Sequence, residues 1–323
     1  MSAIGERFGA SGRFDPARAR ALGIVLPFVA LFITLSVASG PFLTKVNLLN
    51  ILDQQSATLI IAAAGTLVLV AGGIDLSVGA VYSLAAVTAA EVAQHHNAWL
   101  AIFLGVGAAG LVGLLNGLVT TLLRINSLIA TLAMSFVIAG VASRITKGNL
   151  LVLFDNHSFG ELARTQFITV KTSIWLMVGA VIVLAIVLAR TTAGRYMYAA
   201  GGNAEAARLA GVRVDGVRIL TFVLSGLAAG VAGVIDASRV LSASASAEST
   251  TLAFTVLAGI VVGGTSILGG EGAVWRSVVG VLFIALIGNG YILLGLDPLY
   301  EQITMGLILL AAVALDAWTR RTA

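Results

Sequence analysis

Side chains that usually do covalent or metal chemistry are scarce in this sequence. Cysteine is absent, and histidine occurs three times, as His95, His96 and His157. Without thiols there is no disulfide framework, thiol nucleophile or thiolate metal site. The adjacent histidines have no partner at ligand spacing, so they read as loop residues and no metal site is expected. None of the three lysines (Lys45, Lys147, Lys171) follows a glycine, which excludes a Gly-x-x-x-x-Gly-Lys phosphate loop. Intramembrane proteolysis would want a carboxylate pair on facing helices. Asp75 and Asp236 are the thin candidates, and neither has protease-like flanking residues. The expectation is a chain without catalytic residues or a cofactor of its own.

What remains is polar chemistry inside apolar sequence. The segment Ala71–Gly79, AGGIDLSVG, sets Asp75 and Ser77 between two apolar runs. A carboxylate there is expensive unless paired, hydrogen-bonded or interfacial. One reading is a tight turn at Gly72-Gly73 with Asp75 capping the next helix. The other is a proton relay or polar gate on a solute path. Asp75 has no basic neighbour in sequence, which favours the cap. Thr265 and Ser266, after Gly263-Gly264, form the corresponding turn later in the chain. Asn116 and Asn289 each precede a glycine within an apolar run. They suit interhelical hydrogen bonds or the lining of a hydrated path for a polyhydroxylated solute. Asp236 and Arg239 are spaced for a local ion pair.

The most informative hydrophilic stretch is Thr191–Arg218, which carries five arginines once Arg190 is included. Asn203 is placed to cap a helix, Glu205 favours its first turn and Gly211 can close it. The enclosed Ala204–Ala210 is about two turns long and too short to persist without packing. An interfacial helix on a bilayer usually carries larger apolar residues. This one presents methyl groups with Glu205 and Arg208 at the rim, which suits insertion into a groove of a partner protein.

The elements that must position these residues follow from composition. At 59% hydrophobic, the 323 residues include about 190 apolar ones, enough for nine or ten spans of about 20 residues. Only 11% are charged, too few for a water-facing surface of this size. The fold class is an all-α integral membrane protein. Ten apolar stretches fall near 21–39, 56–72, 76–93, 99–123, 127–146, 172–190, 217–237, 252–268, 273–295 and 300–318. The first is read as an uncleaved helix, too long for a signal-peptide core. A single transmembrane domain, 21–318, is expected between tails 1–20 and 319–323, with structure outside the bilayer at 144–171 and 191–218. With the N-terminus in the cytoplasm, 13 basic residues fall inside and 6 outside, so both termini are assigned to the cytoplasm. The pI near 9.8 then records orientation and not nucleic-acid binding. Gly113/Gly117, Gly226/Gly230 and Gly259/Gly263 are small-xxx-small pairs that let helix backbones approach in lipid. The Gly72-Gly73 and Gly263-Gly264 turns outline an internal repeat of two halves.

Several segments together resemble a known family: NLLNIL at 47–52, AGGIDLSVG at 71–79, YAAGGNAEAARLAGVRV at 198–214, GGTSILGGEGAVW at 263–275 and IGNGYILLGLDPLYEQITMGLILLAAVALD at 287–316. They are similar to permease subunits of ribose/xylose/arabinose-type ATP-binding-cassette importers. The resemblance implies a homodimeric permease in the bacterial inner membrane. It also implies a separate ATPase with two nucleotide-binding domains, which binds the ATP and Mg, and a periplasmic or lipid-anchored binding protein that delivers a monosaccharide. The segment matching 198–214 is the family's coupling segment, and Gly201, Gly202, Asn203, Ala206, Ala207 and Gly211 carry over to it by position. One departure stands out. Where the family often has Gly-Tyr-Glu-Leu-Asp, this chain reads Thr251-Leu252-Ala253-Phe254-Thr255, so two acidic side chains are missing. Rival readings are an ion-coupled carrier using Asp75 and a permease for another small solute such as a branched-chain amino acid. Which sugar is carried stays open at this stage.

Overall fold

The computed structural model describes residues 16–153, 157–245, 248–297 and 299–321. Residues 1–15 and 322–323, most of the expected tails, lie outside the described residues. The helices are α1 (Pro16–Ala38), α2 (Lys45–Gln54), α3 (Ser56–Val70), α4 (Val78–His95), α5 (Ala98–Leu122), α6 (Ser127–Thr146) and α7 (His157–Arg164). They continue as α8 (Thr172–Arg190), α9 (Thr192–Gly202), α10 (Ala204–Leu209), α11 (Val214–Val240), α12 (Glu248–Val262), α13 (Val274–Leu293) and α14 (Leu299–Arg321). Two ribbons of two residues per strand complete the described structure. β1 (Leu151–Val152) pairs antiparallel with β4 (Ser242–Ala243), and β2 (Gln166–Phe167) with β3 (Val170–Lys171).

The chain is an all-α membrane protein, but ten full spans are more than helix length and composition support. Among the described residues, five helices (α5, α6, α8, α11 and α13) are long and apolar enough to cross a bilayer, or six when α2 and α3 count as one bent span. α1, α12 and α14 supply shorter apolar helices. The stretch expected to run to 268 stops at Val262, because Gly263 and Gly264 end α12. α4 closes on Glu91, Gln94 and His95, which lowers its apolar character.

α3 is apolar all round and every residue from Ser56 to Val70 is buried, as such a helix requires. α11, α13, α8 and α12 pack around it, and α9 meets its end. Large apolar side chains point outward on the peripheral helices, among them Phe103, Phe136, Ile182 and Leu310. In a bilayer these faces meet lipid. α1 is integrated on one flank, with its Leu35 buried beside Phe42, Ile51 and Leu286.

The bend of 51° between α2 and α3 has a local cause. Ser56 Oγ donates to the Asp53 carbonyl at 2.8 Å, diverting an acceptor at the break. Where helices cross, the expected small-residue pairs carry the contact. A Cβ on Gly113 of α5 would sit 3.1 Å from Gly226 Cα of α11 and run into the Phe222 carbonyl. Likewise a Cβ on Gly259 of α12 would lie 3.1 Å from Val281 Cα of α13.

The two glycine turns share one geometry. Gly72 (φ +80°) and Gly264 (φ +79°) are left-handed residues closing α3 and α12. After α3, Gly72 N–H donates to Leu69 O (2.9 Å) and Gly73 N–H to Val68 O (2.9 Å). After α12, Gly264 N–H donates to Val261 O (2.8 Å) and Thr265 N–H to Ile260 O (3.2 Å). Both are the paired closure in which a glycine takes the positive φ. Each leads into the next long helix, α4 or α13.

Gly113→Leu is expected to force α5 away from α11 at a cost of about 1–3 kcal/mol or more. Thermal unfolding of the purified protein in detergent checks this; an unchanged midpoint would mean that the crossing tolerates a side chain.

Candidate functional site

The arginine-rich connection folds as two short helices. α9 begins with Thr191 Oγ1 accepting from Gly194 N–H at 3.2 Å and ends at Gly202. Asn203 is extended, and its Oδ1 accepts from Ala206 N–H at 3.0 Å, the expected cap of α10. Gly211, at φ +86°, closes the helix: its N–H donates to Arg208 O and Val212 N–H to Ala207 O, both at 2.9 Å. The alanine surface is not uniform, however. Ala207 is buried in the core of the bundle, whereas Glu205, Ala206, Arg208 and Leu209 are exposed. Leu209 is 87% exposed, an apolar tip that sequence reasoning passed over. The expectation that the methyl groups of this helix face a partner's groove is therefore corrected for Ala207. Its methyl group holds α10 onto the molecule. Arg208 pairs with Asp215 at 2.9 Å, and both side chains are more than half exposed, so the pair adds little stability.

Gly201 and Gly202 make contacts of a different kind. A Cβ on Gly201 would meet Gly270 N at 2.6 Å and collide with the Val70 carbonyl. A Cβ on Gly269 would lie 2.8 Å from Gly72 Cα, and one on Gly270 would lie 2.7 Å from Gly202 Cα. Gly270 N–H donates to Val70 O at 2.9 Å. Three connections thus touch backbone to backbone: the end of α3, the end of α9 and the loop from α12 to α13. Tyr198 Oη–H donates to the Gly272 carbonyl at 2.7 Å, and Arg218 Nε reaches Ala71 O at 3.4 Å. Burial raises the pKa of the Tyr198 phenol above its ordinary value, with Arg276 opposing, so it stays a protonated donor. The three Gly-Gly pairs were the available sequence signal; their mutual contact was not legible.

Asp75, Ser77 and Asn116 come together. Asp75 Oδ1 accepts from Ser77 N–H (3.0 Å) and Ser77 Oγ–H (2.6 Å), and Oδ2 accepts from Ser225 Oγ–H at 2.8 Å. Ser77 Oγ in turn accepts from Asn116 Nδ2 at 2.7 Å. The N-cap position of α4 is Ser77, without a side-chain cap bond. Asp75 is therefore no cap of the usual kind: it folds back on the chain two residues on and ties the turn to α5 and α11. Ile74 N–H and Leu76 N–H donate to Ser127 Oγ and Thr131 Oγ1 of α6, each at 3.0 Å.

The other candidate path residues lie elsewhere. Thr265 and Ser266 are buried, 2% and 1% exposed. Thr265 Oγ1 is 3.3 Å from Ser277 Oγ, which accepts from Thr66 Oγ1 at 2.8 Å, joining α3 to α13. Asn289 exchanges amide hydrogen bonds with Asn47, at 2.9 and 3.2 Å, joining α13 to α2. These six residues form three separate clusters. Asp236 makes the expected ion pair with Arg239 (2.5 Å) and also accepts from Tyr82 Oη–H. Sequence reasoning missed Asp53. It is buried at the bend, 2.6 Å from Lys171 Nζ and 2.5 Å from Ser173 Oγ, partners about 120 residues away.

Comparison with known proteins adds an independent line. A family model described as the permease component of a branched-chain amino acid transport system matches residues 47–313. The chain is 37% identical over 296 residues to the ribose import permease protein RbsC of Bacillus subtilis (strain 168), covering 90% of this chain and 91% of that one. Identity to the Escherichia coli (strain K12) ribose import permease protein is 35% over 297 residues, covering 90% and 92%. The L-arabinose ABC transporter permease protein AraH of Azospirillum brasilense is 38% identical over 316 residues, covering 94% and 92%.

Removing the cap by Asn203→Ala is expected to destabilise α10 by about 1 kcal/mol. Amide exchange of residues 206–210 should then quicken by about fivefold; unchanged exchange would show that packing alone holds the helix.

Proposed function

The chain belongs to the family of permease subunits of bacterial ATP-binding-cassette importers, and we propose that it carries a monosaccharide through a homodimer driven by a separate ATPase. It is a multi-pass protein of the bacterial inner membrane. Ribose and arabinose, named for the relatives, are the first solutes to test. In this reading the ATPase has two nucleotide-binding domains and holds ATP and Mg, while a periplasmic or lipid-anchored binding protein delivers the sugar.

The observation that carries the coupling reading is the glycine contact at the base of α10. Exposed Glu205, Ala206 and Leu209 offer a short, mostly apolar knob to a groove. Gly201 and Gly202, just before it, rest on the ends of α3 and the α12–α13 loop. No flexible side chain intervenes in that contact. A displacement of α10 as the ATPase closes therefore presses on backbone at the roots of α4 and α13, biasing two packings of the bundle. Asn203 and Gly211 keep the knob rigid, Arg208 braces it against Asp215, and Ala207 seats it.

The topology proposed with this reading is ten crossings with both termini in the cytoplasm and 191–218 on the cytoplasmic face. Its support is the basic-residue bias, together with the pairing of β1 and β4. That ribbon joins the connections after α6 and α11 at the end opposite α9 and α10. An ion-coupled carrier built on Asp75 has less support, because both carboxylate oxygens accept hydrogen bonds from serines.

Leu209→Asp, and separately Ala206→Trp, are expected to cut ATP-driven uptake by at least about tenfold, or about 1.4 kcal/mol in rate terms. The amount of permease in the membrane should not change. Uptake in whole cells alongside quantitative immunodetection measures both, and full uptake in both variants would remove α10 as the docking element.

A further inference from the structure

A cavity of about 640 Å³ opens between α2, α12, α13 and α14, well away from the glycine contact. α13 starts beside that contact at Val274, so Asn289 lies about 22 Å further along its axis at 1.5 Å per residue. The volume falls within the range of about 300–1,000 Å³ typical of small-molecule sites. Its lining is rich in uncharged hydrogen-bonding groups: Asn50 and Gln54 from α2, Thr255 from α12, Asn289 from α13 and Gln302 from α14. Among the described residues, Glu301 supplies the one charge on the lining, and no lysine, arginine or histidine contributes to it.

Glu301 lies over bare backbone. A Cβ on Gly288 would come within 2.6 Å of its Oε1, so the carboxylate occupies the space that Gly288 leaves open. Among the described residues it has no hydrogen-bond or ion-pair partner. A carboxylate accepts two hydroxyl donors at once, and such charge-assisted bonds are roughly twice as strong as neutral ones. Side-chain amides both donate and accept, which matches a hydroxyl. The ammonium of an amino acid would suit Glu301, but its carboxylate would find no cation on the lining, and an aliphatic side chain would leave amides unpaired.

We infer that this cavity is an entry subsite for a neutral polyhydroxylated solute, with Glu301 and the amides of Asn50, Gln54 and Gln302 meeting its hydroxyl groups. The inference rests on the monosaccharide reading above and adds to it a place and a basis for rejecting branched-chain amino acids. The Asn47–Asn289 amide pair fixes one wall by holding α13 to α2.

The natural absence of cysteine makes the test direct. Thr255→Cys and Gln302→Cys are made singly in the complete importer, with Asn149→Cys in the exposed connection after α6 as control. Binding-protein-stimulated ATP hydrolysis reports that each variant has folded and assembled. Labelling by a membrane-impermeant, hydrophilic maleimide is then timed with D-ribose, L-arabinose or L-isoleucine present. Protection scales as one plus the ratio of ligand to Kd, so a pentose at twice its Kd slows labelling by about threefold. The expected result is slowing at Thr255→Cys and Gln302→Cys by a pentose, none by isoleucine, and none at Asn149→Cys by either. Cysteines that do not react, or that isoleucine protects as well as a pentose, overturn the subsite. ATP-driven pentose uptake by the unaltered complex is scored separately. Uptake with unprotected cysteines overturns this inference alone, and no uptake of either pentose overturns the monosaccharide reading.

Discussion

The contact among Gly72, Gly201, Gly269 and Gly270 is the constraint on which the rest of this molecule turns. Side chains at an interface can change rotamer and absorb a shift; peptide backbones in van der Waals contact cannot. The bundle here brings three chain reversals to one point without a side chain between them. Packed interiors respond to such pressure by switching between discrete arrangements and not by yielding gradually. A six-residue helix seated on this point by Ala207 is small, but its base reaches two long helices at once.

Interior polar groups are handled by local closure. Asp53 is met by Lys171 and Ser173, Asp75 by two serines, and Asp236 by Arg239 and Tyr82. Breaking such a set by removing one partner is more costly than the set is stabilising, since it strands a charge. Each cluster also ties helices far apart in sequence: α2 to α8, the α3–α4 turn to α5 and α11, α4 to α11. The carboxylates thus act as rivets among apolar helices, whose association in lipid gains nothing from the exclusion of water.

What was legible in the sequence was local or periodic. The apolar stretches lie on helices because a run of that length needs no tertiary information. The cap at Asn203 and the closure at Gly211 follow from residue type at fixed offsets. The glycine pairs lie at helix crossings because only small residues permit them. What escaped depends on distant partners. Asp53 looked unremarkable without Lys171 beside it, and α2 is too short and too polar to stand out before its bend. The inward turn of Ala207 cannot be told from the outward turn of Ala206 within an alanine-rich segment. Thr265 with Ser277 and Asn289 with Asn47 are pairings that residue type alone does not reveal. The contrast between α12 and its expected extent has the same origin: hydropathy continues past Val262, while the left-handed glycine ends the helix.

The β1–β4 ribbon carries a consequence for how the far end of the bundle can open. Leu151 and Val152 follow α6, Ala243 and Ser242 follow α11, and Leu153 N–H adds a bond to Leu241 O at 2.9 Å. The tips of those two helices are clasped together across about ninety residues of chain. Any widening of the rim at that end must therefore carry both tips as one piece. The ribbon does not reach α2, α13 and α14, which the Asn47–Asn289 and Tyr291–Thr304 contacts join into a second group, so a wider mouth is a parting of two bound sets and not a fraying of single helices.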